Sequence, residues 1–109
     1  MLKPLFDNLI KEEILLAILT KKELYARDFA VKFGVHLLSV QNQLKKLERG
    51  GVVMSRLEGR TRLYSFNPRY IFLKELKNLL AKALLFLPQQ EKEKYYIPRL
   101  RPRRAGKSL

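Results

Sequence analysis

Cysteine is absent from this sequence, and histidine occurs once, at His36. Without cysteine there is no disulfide, no thiolate metal ligand and no thiol nucleophile. One histidine cannot build a metal site alone, and the shortage removes the common nucleophile–base pairs. His36 is therefore read as a surface or helix-capping residue, with pH sensing as the alternative. Carboxylates are scarce too: Asp and Glu together number 10, and Glu12-Glu13 and Glu91/Glu93 sit among lysines. No glycine-rich phosphate loop occurs, because Gly50-Gly51 reads as a helix stop and Gly59 as a hairpin tip. No catalytic constellation can be assembled, so the chain is expected not to be an enzyme and to use no cofactor or metal. Long apolar runs are also missing. Stretches such as Ala83 to Pro88 are far too short to span a bilayer. Lys11-Glu12-Glu13 interrupts any signal-like segment behind Met1. No membrane partner and a cytoplasmic location are expected.

What the sequence has in excess is positive charge. Lys and Arg number 23, for a formal net charge of +13 on 109 residues. A surplus of that size concerns partners rather than fold: it attracts polyanions, nucleic acid first and anionic membrane second. The length allows one small domain, and 47% apolar residues allow a small core.

The chain is organised around residues 25 to 66. Apolar residues at 26, 29, 30 and 33 lie on one face of a helix over about Ala26–Phe33. Gly34 supplies the backbone freedom needed at its end. A second stripe at 37, 40, 44 and 47 marks a helix over about Leu37–Arg49, stopped by Gly50-Gly51. The break is too short for a wide loop, so the two helices must cross steeply, which is helix-turn-helix geometry. Val52 to Leu57 and Arg62 to Phe66 alternate as paired strands do, around the loop Glu58-Gly59-Arg60-Thr61. Tyr64 and Phe66 share one face and are expected to pin this ribbon to the helices.

Gly34-Val35, the spacing Val40, Leu44, Leu47, the phrase Leu47-Glu48-Arg49-Gly50-Gly51-Val52-Val53 and the ribbon Arg60 to Phe66 together resemble the winged helix-turn-helix regulators of the ArsR type. A weaker resemblance extends from about Leu5 to about Leu87. It implies a mainly α fold with a small β-hairpin (α+β). The implied order is helix, short strand at Leu24-Tyr25, two helices, two strands and a long helix, followed by a basic tail. It further implies a DNA-binding frame, without the metal switch, since the Cys and His clusters of metal sensors are missing. Two departures stand out. His36 occupies the cap where relatives carry Ser or Thr, and Leu37-Leu38 occupies a place where they carry small polar residues.

Within this frame, Leu37 to Arg49 is the candidate recognition helix. Val40, Leu44 and Leu47 face inward. Leu37, Leu38, Ser39, Gln41, Asn42, Lys45, Lys46 and Arg49 are candidate DNA contacts. Gln and Asn bond adenine edges through two atoms, Lys reaches guanine or phosphate, and a leucine can meet a thymine methyl. The plain alternative is an ordinary solvated helix face. Arg56, Arg60, Thr61 and Arg62 are the candidate wing contacts, grouped around the ribbon tip, to flanking backbone or minor groove. The alternative there is a charged edge that resists aggregation.

Two flanking helices complete the reading. The first, Pro4 to Thr20, can be capped by Asp7 or Asn8. Its leucines either bury on two sides of their own domain or face a second subunit. The last, about Arg69 to Leu87, carries more apolar residues than a monomer of this size can cover. A homodimer is expected, since the resemblance implies pairing through the first and last helices. Leu15, Leu19, Phe72, Leu76, Leu80, Leu84 and Leu87 are the candidate seam. Residues 1–88 are thus taken as the DNA-binding domain and 89–109 as a basic extension. In that extension Arg99, Arg101, Arg103 and Arg104 either remain solvated or grip phosphate, and Tyr95 and Tyr96 are candidates to tether it. The function expected is sequence-specific duplex-DNA binding by a homodimeric transcriptional regulator. The rivals are a winged-helix protein-interaction module and non-specific nucleic-acid binding through the tail. No small-molecule effector is indicated.

Overall fold

Asn8 sets where the first long helix begins. In the computed structural model, which describes residues 2–96, its backbone is extended (φ −167°, ψ 121°) and its side chain accepts the Lys11 N–H at 2.9 Å. That is an N-cap, and it starts helix α2 (Leu9–Lys21). Asp7 before it is left-handed (φ 57°) and closes a four-residue helix, α1 (Lys3–Phe6). The single helix expected from Pro4 to Thr20 is therefore two, because a capping Asn in extended conformation cannot continue a helix through itself.

Helix α2 is the axis of the core. Ile14, Leu15, Leu16, Ala17 and Ile18 are all buried, five in succession, so no single face accounts for them. The two-helix motif, the last helix, the ribbon and the C-terminal turn all touch α2. This settles where the extra leucines go. Leu15 and Leu16 bury against their own domain, with Leu15 1% exposed, while Leu19 is half-buried. Burial of each such side chain contributes roughly 1.5–3 kcal/mol.

A two-residue strand, β1 (Leu24–Tyr25), leads into α3 (Ala26–Phe33) and α4 (Leu37–Arg49), with the bounds anticipated from the sequence. Gly34 lies at φ +66° with open space where a Cβ would stand. Val35 N–H donates to the Ala30 carbonyl at 3.0 Å, so the helix closes by a left-handed turn that favours glycine. Val40, Leu44 and Leu47 are buried as expected, joined by Gln43. Strands β2 (Val53–Glu58) and β3 (Thr61–Phe66) pair in the register Val53↔Phe66 to Glu58↔Thr61, and β1 adds to β3 through Leu24↔Tyr64 and Tyr25↔Leu63. The sheet order is β1-β3-β2.

Helix α5 (Leu73–Leu85) is shorter than expected. Asn67 and Pro68 are followed by turns in which Tyr70 N–H donates to the Asn67 carbonyl and Leu73 N–H to that of Tyr70, both at 3.0 Å. A short α6 (Gln89–Glu91) and a π-helical turn (Lys92–Tyr96) follow Pro88. Tyr95 stacks on Phe33 of α3 at 4.5 Å between ring centroids, and Tyr96 is buried. The boundary drawn at residue 88 is thus not a packing boundary: residues 89–96 fold onto the body through the two tyrosines. No helix among the described residues is long and apolar enough to cross a membrane.

Candidate nucleic-acid interface

The buried stripe of α4 fixes which side chains look outward. With Val40, Gln43, Leu44 and Leu47 inside, helical spacing puts Leu38, Asn42 and Arg49 on the opposite face, Leu37, Gln41 and Glu48 on its flank, and Lys45 between the two. All of these except half-buried Leu37 are exposed, as is Lys46, whereas Ser39 is half-buried. Among the described residues, nothing covers this face. His36 caps the helix poorly: its backbone is extended, but its side chain makes no capping bond.

The flank of α4 and the ribbon enclose a cleft of about 410 Å³ lined by Leu37, Gln41 and Lys45 from α4, Arg60, Thr61, Arg62 and Tyr64 from the ribbon, and Ala26 and Arg27 from α3. Four cations thus meet around one groove, with an amide donor and acceptor at Gln41. Arg27 escaped the sequence reading. Its signal is positional, because a cation in the first turn of a helix opposes the macrodipole and a residue placed there at a cost invites another role. Leu38, Ser39, Asn42, Lys46 and Arg49 do not line the cleft.

The strand register divides the ribbon's cations. Opposed residues share a face, so Val53, Ser55, Leu57, Arg62, Tyr64 and Phe66 lie on one side and Met54, Arg56, Glu58, Thr61, Leu63 and Ser65 on the other. Tyr64 and Phe66 do share a face, and Tyr64 is buried against the core. Arg56 does not join Arg60 and Arg62. Its Nη2 meets Glu23 Oε2 at 2.9 Å and its Nε meets Glu58 Oε2 at 3.4 Å. These two carboxylates, the Glu23 hydrogen bond foremost, raise its guanidinium pKa further. Grouping Arg56 with the tip contacts is corrected accordingly: strand alternation turns it to the far face, where its charge is answered.

The candidate seam also divides. Leu80 is 0% exposed and Leu15 is in the core, so neither can meet a partner. Leu19, Leu76, Leu84 and Leu87 are half-buried. Phe72 is 57% and Phe86 68% exposed, with Leu79 and Leu85 also open. Phe72, Leu79 and Phe86 recur every seventh residue, with Leu79 inside α5 and the two phenylalanines at its N-cap and C-cap positions. Arg99, Arg101, Arg103 and Arg104 lie outside the described residues. No cluster among the described residues assembles three His, Asp or Glu groups that could hold a metal ion.

No family model matches this sequence, and no curated protein matches it. A solved structure does. A double mutant of ZitR from Lactococcus lactis, in its apo form, superposes with a TM-score of 0.55 at 19% identity, over 84% of this chain and 78% of that one. At this identity the likeness shows the fold alone. Helices with a small three-stranded antiparallel sheet, in this order and with this superposition, give the chain the winged-helix fold.

Proposed function

We propose that the protein binds duplex DNA sequence-specifically as a homodimer and regulates transcription. The observation that carries this reading is the cleft in which Gln41 and Lys45 of α4 meet Arg27, Arg60 and Arg62. Helix α4 enters the major groove with Leu38, Asn42, Lys45 and Arg49 foremost and Gln41 on the wing side. Asn42 and Gln41 read base edges, each good two-atom pairing contributing about 1–3 kcal/mol of discrimination. Arg60 and Arg62 lie on the flanking backbone or in the minor groove, and Thr61 is within their reach. Arg27 holds phosphate from the other side of the cleft. These contacts, with the net charge of +13, make affinity fall steeply with salt if roughly 6–10 phosphates are neutralised.

Pairing through Phe72, Leu79 and Phe86 supplies the dimer, with the half-buried Leu19, Leu76, Leu84 and Leu87 at its margins. A two-fold dimer sets half-sites about one helical turn apart, roughly 34–36 Å. One observation favours a second reading, that of a protein-interaction module. Leu38 is 66% exposed in the middle of the outward face of α4, where an apolar side chain suits a protein groove as well as a thymine methyl.

Selection of bound sequences from a random duplex pool separates the two. The regulator reading expects a symmetric motif, and loss of preference at one or two positions per half-site in the Gln41→Ala, Asn42→Ala double variant. Absence of duplex binding even at low salt would favour the interaction module.

A further inference from the structure

We propose that Glu48 and Ser55 form a positioning relay that holds Arg62 in the cleft. The proposal rests on the DNA-binding reading above and adds to it a residue pair that touches no nucleic acid. The geometry is explicit. Ser55 Oγ donates to Glu48 Oε2 at 2.7 Å, and Arg62 Nη1 donates to Ser55 Oγ at 3.0 Å. A carboxylate only accepts and a guanidinium only donates, so the hydroxyl between them has one possible orientation. Both bonds have an ionised partner, the stronger class of hydrogen bond. Ser55 and Arg62 are diagonal neighbours on the helix-facing side of the ribbon, and Glu48 is in the last turn of α4. The relay therefore ties the end of the recognition helix to the wing through one serine. It occupies one of the five N–H groups of Arg62, and no other described residue bonds the rest.

The presence of Glu48 needs a reason. It adds negative charge on the flank of α4 that faces the ribbon, within about a Debye length (~10 Å at 0.1 M salt) of where phosphates would pass. For a polyanion-binding surface that is unfavourable unless the carboxylate does something else. Tyr64 reports both charges. Its phenol is pushed up first by burial and then by Glu48, and drawn down by Arg62. On the opposite face Arg56 has its own carboxylates, Glu23 and Glu58. The two arginines are thus held in different ways. Arg56 is neutralised directly, whereas Arg62 is anchored through a neutral hydroxyl that leaves its charge available.

The test is one of sign, read by titrating the full chain against random-sequence duplex DNA. Coulomb repulsion alone expects Glu48→Gln and Glu48→Ala to bind alike and more tightly than wild type. The relay expects Glu48→Gln, which keeps an acceptor for Ser55, to match or exceed wild type. It expects Glu48→Ala to fall below Glu48→Gln by about three- to tenfold, the range for one intramolecular hydrogen bond. Ser55→Ala should lose a similar factor, and Ser55→Thr should retain binding, which guards against a folding defect. In an Arg62→Ala background both losses should disappear. Equal binding by the two Glu48 variants, or a Ser55→Ala loss undiminished without Arg62, overturns the relay. If Arg62→Ala weakens binding and Ser55→Ala does not, the relay alone fails. If Arg62→Ala changes neither affinity nor its salt dependence, the wing reading fails and takes the relay with it.

Discussion

Helix α5 offers two neighbouring leucine-rich faces whose perturbation should give opposite signatures. Leu80 is wholly buried and Phe72 and Phe86 are more than half exposed. Leu80→Ala removes a core side chain and leaves a cavity, at a cost of about 2–5 kcal/mol. A domain of this size has a total stability of roughly 5–15 kcal/mol, so the variant should be folded but visibly weakened. Taking about 3 kcal/mol, and about 4–8 °C per kcal/mol for a domain under 100 residues, Tm should drop by roughly 12–24 °C. Phe72→Ser with Phe86→Ser removes little that the single chain buries. In a monomer the effect should stay within about 0.5 kcal/mol per site. If those rings form a dimer seam, the loss is instead the mass-action part of stability, about 2.7 kcal/mol at a concentration a hundredfold above Kd. Thermal melting at two protein concentrations, with sedimentation equilibrium alongside, separates the cases. Wild type should melt higher when concentrated, Leu80→Ala should keep that dependence at lower Tm, and the double phenylalanine variant should lose it and sediment as a monomer. A wild-type Tm independent of concentration, or a dimer that survives loss of both rings, would refute the seam.

Three further outcomes follow from the same geometry. Asn8→Ala should cost about 1 kcal/mol by leaving the first turn of α2 uncapped, read as a lower denaturant midpoint at unchanged m-value; an unchanged midpoint removes the cap. The carboxyl of Glu13 is raised above its ordinary pKa, first by burial and then by Glu12 and Glu91, so the folded chain holds that proton more tightly than the unfolded one. Its contribution to stability is therefore present below the ordinary carboxylate pKa and declines as pH rises through the raised one. Glu13→Gln should raise Tm at neutral pH and flatten that decline, and a lower Tm at neutral pH would contradict it. Arg56→Ala should weaken DNA binding much less than Arg62→Ala in parallel titrations, and the reverse order would return Arg56 to the wing contacts.

Much of this fold was legible because it is written in local periodicity. The stripes at 26, 29, 30, 33 and at 40, 44, 47, punctuated by Gly34 and Gly50-Gly51, define α3 and α4 without reference to the rest of the chain. Strand alternation around Gly59 does the same for the ribbon. What periodicity could not resolve was α2, where Ile14 to Ile18 are apolar on every side. A pattern with no polar face does not say whether the neighbours belong to the same chain or to a second one, and only the packing assigns Leu15 to the former. Leu80 misled for the same reason, lying one residue from exposed Leu79. At the site, the sequence shows which residues are cationic but not which of them are already paired. The Glu23–Arg56 ion pair spans 33 residues of sequence, and Arg27 reaches the cleft only because α3 crosses beside the ribbon. Pairings of that range arise from topology, so no local motif announces them.

The most direct measurement is the slope of log affinity against log salt for the wild-type chain and for a variant with Arg27, Lys45, Arg60 and Arg62 all changed to alanine, both on duplex DNA. Each phosphate contact contributes about 0.9 to the slope, so four lost contacts should flatten it by about 3.6 while the thermal transition is preserved. An identical slope in the two proteins would place the DNA elsewhere and contradict the assignment of the α4–ribbon cleft.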